Sequence, residues 1–162
     1  MRWDLYTPFW DATFSRGPAP FLLPLPERRP EPPRPISYET FKRIMAEELD
    51  LLPRYCFDEL TGGVLAEERA MLSPDRVADD LYVLGLYTWS MLGKQVKLFY
   101  GSFTEVIGPA AEDVYREKIR ETIRHEFRHH METRAGEFGK GSLLEEDARQ
   151  KARYYEAHRR RR

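Results

Sequence analysis

His125-Glu126-Phe127-Arg128-His129-His130 stands inside a long charged run from Ala110 to Gly136, and its spacing decides how the rest of the chain is read. Four residues along an α-helix turn the chain about 400° and lift it about 6 Å, so His125 and His129 stack on one face with their imidazoles converging. Two imidazoles so placed are half of a zinc site. Glu126, beside the first, is placed to take a proton from a metal-bound water, which zinc can bring to a pKa of about 7. The pattern reads as H-E-x-x-H. Projected at about 100° per residue, Thr122, His125 and His129 share one strip and Tyr115, Ile119, Ile123 and Phe127 another. Arg120, Arg124, Arg128, Glu117 and Glu121 fill the remainder. One face is predicted to be site, one core and one solvent. The plain alternative, a surface helix with two stacked histidines, leaves polar rings beside an apolar stripe without a partner. His130 points about 100° away from His129 and is not expected to be a ligand.

Upstream of this helix, Gly108-Pro109 suits its first turn, with Glu112 and Asp113 complementing its positive end, and Gly136 is expected to stop it. Tyr82 to Thr88 and Gln95 to Phe99 are β-rich runs joined by a short connection containing Gly93, a predicted hairpin. In the second run Val96, Leu98 and Tyr100 fall on one face and Lys97 and Phe99 on the other. Met71 to Asp80, charged and holding Pro74, reads as a loop, and Leu60 to Leu65 (LTGGVL) as a turn entering a strand. Further back, Ser37 can cap a core helix carrying Phe41, Ile44, Met45, Leu49 and Leu52, with Pro53 after it. Downstream, Ser142-Leu143-Leu144-Glu145 has the form of a capping box, opening a helix with the apolar line Leu144, Ala148, Ala152 and Tyr155.

The two termini differ from this middle. Residues 1–36 hold nine of the twelve prolines, so no regular helix or central strand runs through them. Yet Trp3, Tyr6, Phe9, Trp10 and Phe14 are too apolar for a solvated linker, and this N-terminal arm is expected to dock on its own domain, a second copy or a partner. Pro18 to Pro35 reads as a polyproline-type spacer. From Arg149 on there are seven Arg or Lys against one Glu, and the end, residues 159–162, is read as a solvated basic tail.

A formal net charge of −1 over 162 residues gives no reason to expect nucleic acid or an anionic membrane as partner, and neither is expected. The single cysteine, Cys56, excludes an intramolecular disulfide and is expected to be a buried thiol. The N-terminus lacks the form of a signal peptide, and no apolar run approaches the roughly 18 residues of a membrane span, so the expected location is cytoplasmic. Length argues for one folded domain with a modest core.

Several short blocks stand in a fixed order: Leu60-Thr61-Gly62-Gly63-Val64, Leu84-Gly85-Leu86-Tyr87, Phe99-Tyr100-Gly101-Ser102-Phe103 and the HEFRHH run. From about Ser37 to Ala148 this order resembles a family of small bacterial zincin-like metallopeptidases, minimal zincins with an HExxHH motif that were once a domain of unknown function. The resemblance implies an α+β, minimal zincin-like fold. It would have a small sheet of three strands, a core helix, the HExxHH helix and a C-terminal helix, with residues 37–158 as the domain. It also implies a zinc-dependent hydrolase acting on peptide bonds, with His125 and His129 on the metal and Glu126 as general base. Some members carry a metzincin-like Gly and Asp after the second histidine, where this chain has Glu132 and Ala135. The chain looks more like a branch reading HExxHHxExxAG, so the third ligand is not given by the metzincin pattern.

Asp147 is the expected third ligand, on the next helix, where gluzincin-like enzymes place a carboxylate. It shares a line with Leu143 and Tyr154 at the edge of the buried face, whereas Glu145 has a capping role and Glu146 projects to solvent. Glu132 stays open as the alternative: it shares the azimuth of the histidines, but stands about 10 Å up the axis from His125. A peptide or protein substrate is the expected partner. The rival reading is a non-catalytic protein whose metal stabilises a small fold and whose aromatic arm recruits a partner. A third, nucleic-acid binding through the Arg-rich last helix, requires affinity that falls steeply with salt.

Overall fold

The structure, a computed structural model, describes residues 34–137 and 140–160. Most of the N-terminal arm and its expected docking lie outside the described residues, as do Arg161 and Arg162 of the basic tail. Within them the fold is α+β, four α-helices and a three-stranded mixed sheet. No helix among the described residues is long and apolar enough to cross a membrane.

Helix α1, Tyr38–Asp50, starts where the sequence places it, with the Ser37 Oγ accepting the Thr40 N–H at 3.1 Å. Phe41 and Ile44 are fully buried, and Met45, Leu49 and Leu52 pack at the edge of the core. Cys56 is buried in the short 3-10 turn Arg54–Phe57 that follows. Strand β1, Gly63–Glu67, emerges from the glycine pair. Strands β2, Gly85–Ser90, and β3, Gly93–Phe99, form the expected hairpin, tighter than the two β-rich runs suggest. Its turn forces Gly93 to φ 116°, where a side chain would also collide with Thr61.

The sheet order is β1-β3-β2, with β1 parallel to the central β3 and β2 antiparallel to it. The chain from Glu68 to Leu84 must therefore cross from one edge of the sheet to the other. Tyr82 to Leu84, expected in the strand, belong to this crossing. The reason is that β3 runs out: the Phe99 N–H donates to the Leu84 carbonyl at 2.9 Å, and beyond it no residue of β3 remains to pair. Tyr82 instead bridges Leu72.

Tyr100 does not continue the strand's face. It opens helix α2, Tyr100–Ile107, which the sequence reading did not contain. Local preference favours a turn there, given Gly101, and tertiary contacts override it. Gly101 lies so close to the crossing chain that a Cβ would stand 2.3 Å from the Ala70 nitrogen, and the buried Ser102 Oγ accepts the Met71 N–H at 2.9 Å. Phe103 fills the core beneath, against Phe41.

Helix α3, Glu112–Ala135, packs against α1 on one side and β2 on the other. Its Tyr115, Ile119, Ile123 and Phe127 are buried as the projection requires. Pro109 lies ahead of the N-cap Ala111 and not in the first turn, because Gly108 turns the chain at φ 67° and an extended stretch precedes the helix. Gly136 ends α3 in the left-handed region.

Helix α4, Leu143–Arg159, takes in the beginning of the expected basic tail and departs from its expected orientation. Leu144 is 51 % exposed and Ala148 and Ala152 are exposed, while Leu143 is buried. The helix lies over the polar strip of α3 and the crossing chain, so its inward line is itself polar: Asp147, Lys151, Tyr154 and His158. Lys151 pairs with Asp75 at 2.6 Å, and Tyr154 and His158 both hold Asp80. The capping box is also remade. The Ser142 hydroxyl accepts no cap hydrogen bond, Glu145 takes the Gly141 N–H, and the Leu143 N–H goes to Glu132 at 2.8 Å.

Candidate metal centre

His125 and His129 meet as the four-residue spacing dictates, with ring centroids 5.0 Å apart and ring planes at 83°. The carboxylate of Asp147 reaches them from α4: Oδ1 stands 3.4 Å from His125 Nε2 and Oδ2 2.9 Å from His129 Nε2. One ligand atom from each of the three lies within 4.8 Å of the others. Ligand atoms bound tetrahedrally at about 2.0–2.2 Å stand about 3.4 Å apart, so the donors fit a zinc ion with little movement. Without one, the 2.9 Å contact is a hydrogen bond. Two imidazole nitrogens and one carboxylate are borderline donors of the kind zinc takes.

Glu126 stands on the same helix, turned toward β2, and is only 6 % exposed. The strand can come this close because residue 85 is glycine: a Cβ there would meet Thr122 Cγ2 at 2.7 Å and Glu126 Oε1 at 2.8 Å. Burial pushes the Glu126 carboxyl up to about 7; the backbone N–H of Tyr87 opposes this and the Asp147 charge reinforces it. Burial likewise holds His125 below the usual imidazole range, with Asp147 acting the other way.

His130 is fully buried on another side of the helix, away from the pair. Its Nε2–H donates to the Asp58 carbonyl at 2.8 Å, which leaves Nδ1 to accept from the Tyr87 hydroxyl at 3.2 Å. The ring is a neutral bracket between α3, β2 and the chain after α1, and burial lowers its pKa in keeping with that. Glu132 is committed elsewhere, accepting from Leu143 N–H and, at 2.9 Å, from Arg128 Nε.

Two clefts open on this centre, of about 680 and 310 Å³, and Gly85, His125, Glu126 and Asp147 line both. The structure thus brings together the four residues singled out from the sequence and takes Glu132 into the support of α4. Sequence reasoning missed Gly85 and Tyr87, although both stand in the LGLY block; the Gly within an otherwise apolar strand is the signal for a close backbone approach.

No family model matches the chain, and no curated protein matches it. Among solved structures it is similar to a conserved hypothetical protein from Thermo thermophilus, at 30% identity and a TM-score of 0.53 over 62% of this chain and 98% of that one. That protein's description carries no activity. Identity of this degree over nearly its whole length places the two in one family, and this chain belongs to the family of that conserved hypothetical protein.

Proposed function

We propose that this protein is a zinc-dependent metallopeptidase-like hydrolase, in which His125, His129 and Asp147 hold the metal and Glu126 is the general base. The observation that carries the reading is the convergence of three ligand atoms beside a buried carboxyl that has no cationic partner among the described residues, where two clefts meet. Three protein ligands at an accessible position are the arrangement of catalytic zinc sites, whereas structural sites have four and are closed. Zinc, when bound, supplies a Lewis acid and brings the pKa of a coordinated water toward about 7.

The chain's own residues divide the remaining work. Glu126 takes a proton from the attacking water and, as the bond to the leaving nitrogen breaks, delivers that proton to the amine. Its burial raises the affinity of the carboxylate for the proton it takes up. Asp147 supplies the third donor from the second helix, its carboxylate facing the Nε2 atoms of both imidazoles. A peptide as substrate is supported by the resemblance to minimal zincins and by β2, which is an edge strand of the sheet and lines the smaller cleft through Gly85, Leu86 and Tyr87.

Metal analysis of the purified protein tests this reading at its root. About one zinc per chain is expected, with three protein ligands and an open fourth position by X-ray absorption. His125→Ala and His129→Ala should each lose the metal. A full equivalent in both variants removes the site, and four protein ligands favour the rival, a fold-stabilising metal.

A further inference from the structure

The zinc centre lies between two clefts of unequal size and character. The wider, about 680 Å³, has for one wall the crossing chain, from Ser73 to Leu84, and for another the polar line of α4. That wall is fastened: Lys151 pairs with Asp75, the Tyr154 hydroxyl donates to Asp80 at 2.7 Å and accepts from the Val77 N–H at 3.0 Å, and His158 holds Asp80 at 2.8 Å. The narrower cleft, about 310 Å³, is bounded by Leu86, Tyr87, Thr133 and Leu144. Its volume stands at the lower limit of ordinary ligand pockets, roughly 300–1,000 Å³, and its lining is largely uncharged apart from the metal centre and Glu132.

An enzyme that trims chain ends must hold a free α-amino or α-carboxylate group, and a desolvated charge needs a partner of opposite sign. The lysines that line the wider cleft are already engaged, Lys118 with Glu121 at 3.0 Å and Lys151 with Asp75. The narrower cleft has no lysine or arginine among its described lining residues, and its acid Glu132 is held by Arg128 and the Leu143 N–H. Both clefts reach the same Gly85, His125, Glu126 and Asp147, so a chain running through one can continue into the other across the reacting position.

We infer that the substrate is an extended polypeptide that occupies both clefts at once and is cut at an internal bond, with a compact apolar residue seated in the narrower cleft between Leu86 and Leu144. This rests on the hydrolase reading and adds to it the mode of cleavage and a preference. The bond cleaved is the amide C–N; water supplies the hydroxyl to the new carboxyl group and the proton to the new amine.

Two measurements test it. The zinc-loaded protein is incubated with a decapeptide library acetylated and amidated at its ends, and with the same library bearing free ends, and the products are identified by mass spectrometry. Internal cuts in the blocked library are expected, with an apolar residue at one fixed side of the bond. Separately, binding of fluorescein-labelled β-casein to zinc-loaded Glu126→Gln protein is followed by anisotropy. Leu144→Trp and Gln150→Trp, at exposed positions on the rims of the narrower and wider clefts, should each weaken binding about tenfold. Trimming of free-ended peptides alone, or a binding loss confined to one of the two tryptophan variants, overturns the inference and leaves the hydrolase reading standing. No cleavage of either library by protein with its zinc in place removes both.

Discussion

Two buried carboxylates lie against different sides of α3 and have opposite fates. Glu48 of α1 is 4 % exposed and Glu126 is 6 % exposed, so desolvation pushes both carboxyls upward. Around Glu48 the effect is reversed. Arg120 donates to it through Nε at 2.8 Å and Nη2 at 3.2 Å, and Arg116 through Nη1 at 3.1 Å, holding its pKa below the ordinary range with Arg120 as the leading cause. Around Glu126 the charged neighbour is another acid, Asp147, and the carboxyl rises to about 7. The arginines on one face of α3 thus hold Glu48 ionised, whereas Glu126, enclosed more deeply by the fold and facing another acid, keeps its proton more tightly.

The sharpest way to break this contrast is to neutralise Glu126. Glu126→Gln should lower hydrolysis by about 10²–10⁴-fold, the usual contribution of a positioned base, with zinc content unchanged. Loss of zinc along with activity would make Glu126 a ligand and dissolve the distinction between it and Asp147.

How much of this contrast could be read beforehand follows from which interactions are local. The histidine pair, the core stripe of Tyr115, Ile119, Ile123 and Phe127, and the termination at Gly136 follow from helical periodicity and from glycine's freedom at positive φ, so the chain alone displays them. Asp147 was legible because it shares a helical line with Leu143, and the structure turns that line inward. The expected apolar line of α4 misled because a helix covering a polar site has a polar inner face. Glu48 was not singled out in the sequence of α1. Its burial depends on Arg116 and Arg120, far away in sequence, and no local pattern announces such a pairing. Helix α2 was hidden for a like reason, since the close approach of Gly101 to Ala70 exists only in the folded chain.

A smaller effect separates the two acids by the sign of their pH dependence in zinc-free protein. Between about pH 4.5 and 7 the folded chain keeps a proton on Glu126 that the unfolded chain has released, so stability falls as pH rises through that window, by at most about 3 kcal/mol. Glu48 acts in the opposite sense: its contribution is present above its unfolded pKa of about 4.5 and is lost as pH falls through its depressed folded value. Urea denaturation across pH should therefore show the falling slope abolished in Glu126→Gln and the acid-side loss reduced in Glu48→Gln. Slopes of the same sign in the two variants would mean that Arg116 and Arg120 do not set Glu48 apart.

The smallest expected effect concerns Glu132, an acid intermediate between these two, with a side chain 14 % exposed and one turn beyond the histidines. Its azimuth recommends it as a ligand, but its oxygens are occupied, one by Arg128 Nε and the other by the Leu143 N–H at the start of α4. A carboxylate at a helix N-terminus is stabilising there, and glutamine retains one acceptor oxygen while losing the charge. Glu132→Gln should therefore cost roughly 1 kcal/mol in urea denaturation, through a loosened start of α4. Zinc affinity should change less than about threefold, because Asp147 lies a full turn further along that helix and keeps its own contacts to both histidines. Asp147→Asn, measured beside it by competition with a chromophoric chelator, should lose more than about 100-fold, beyond the roughly 10–100-fold typical of residues that only orient ligands. The reverse ranking, a large loss in Glu132→Gln and little in Asp147→Asn, would mean that α3 unwinds on metal binding to bring Glu132 down to the histidines, and that α4 contributes support and no ligand.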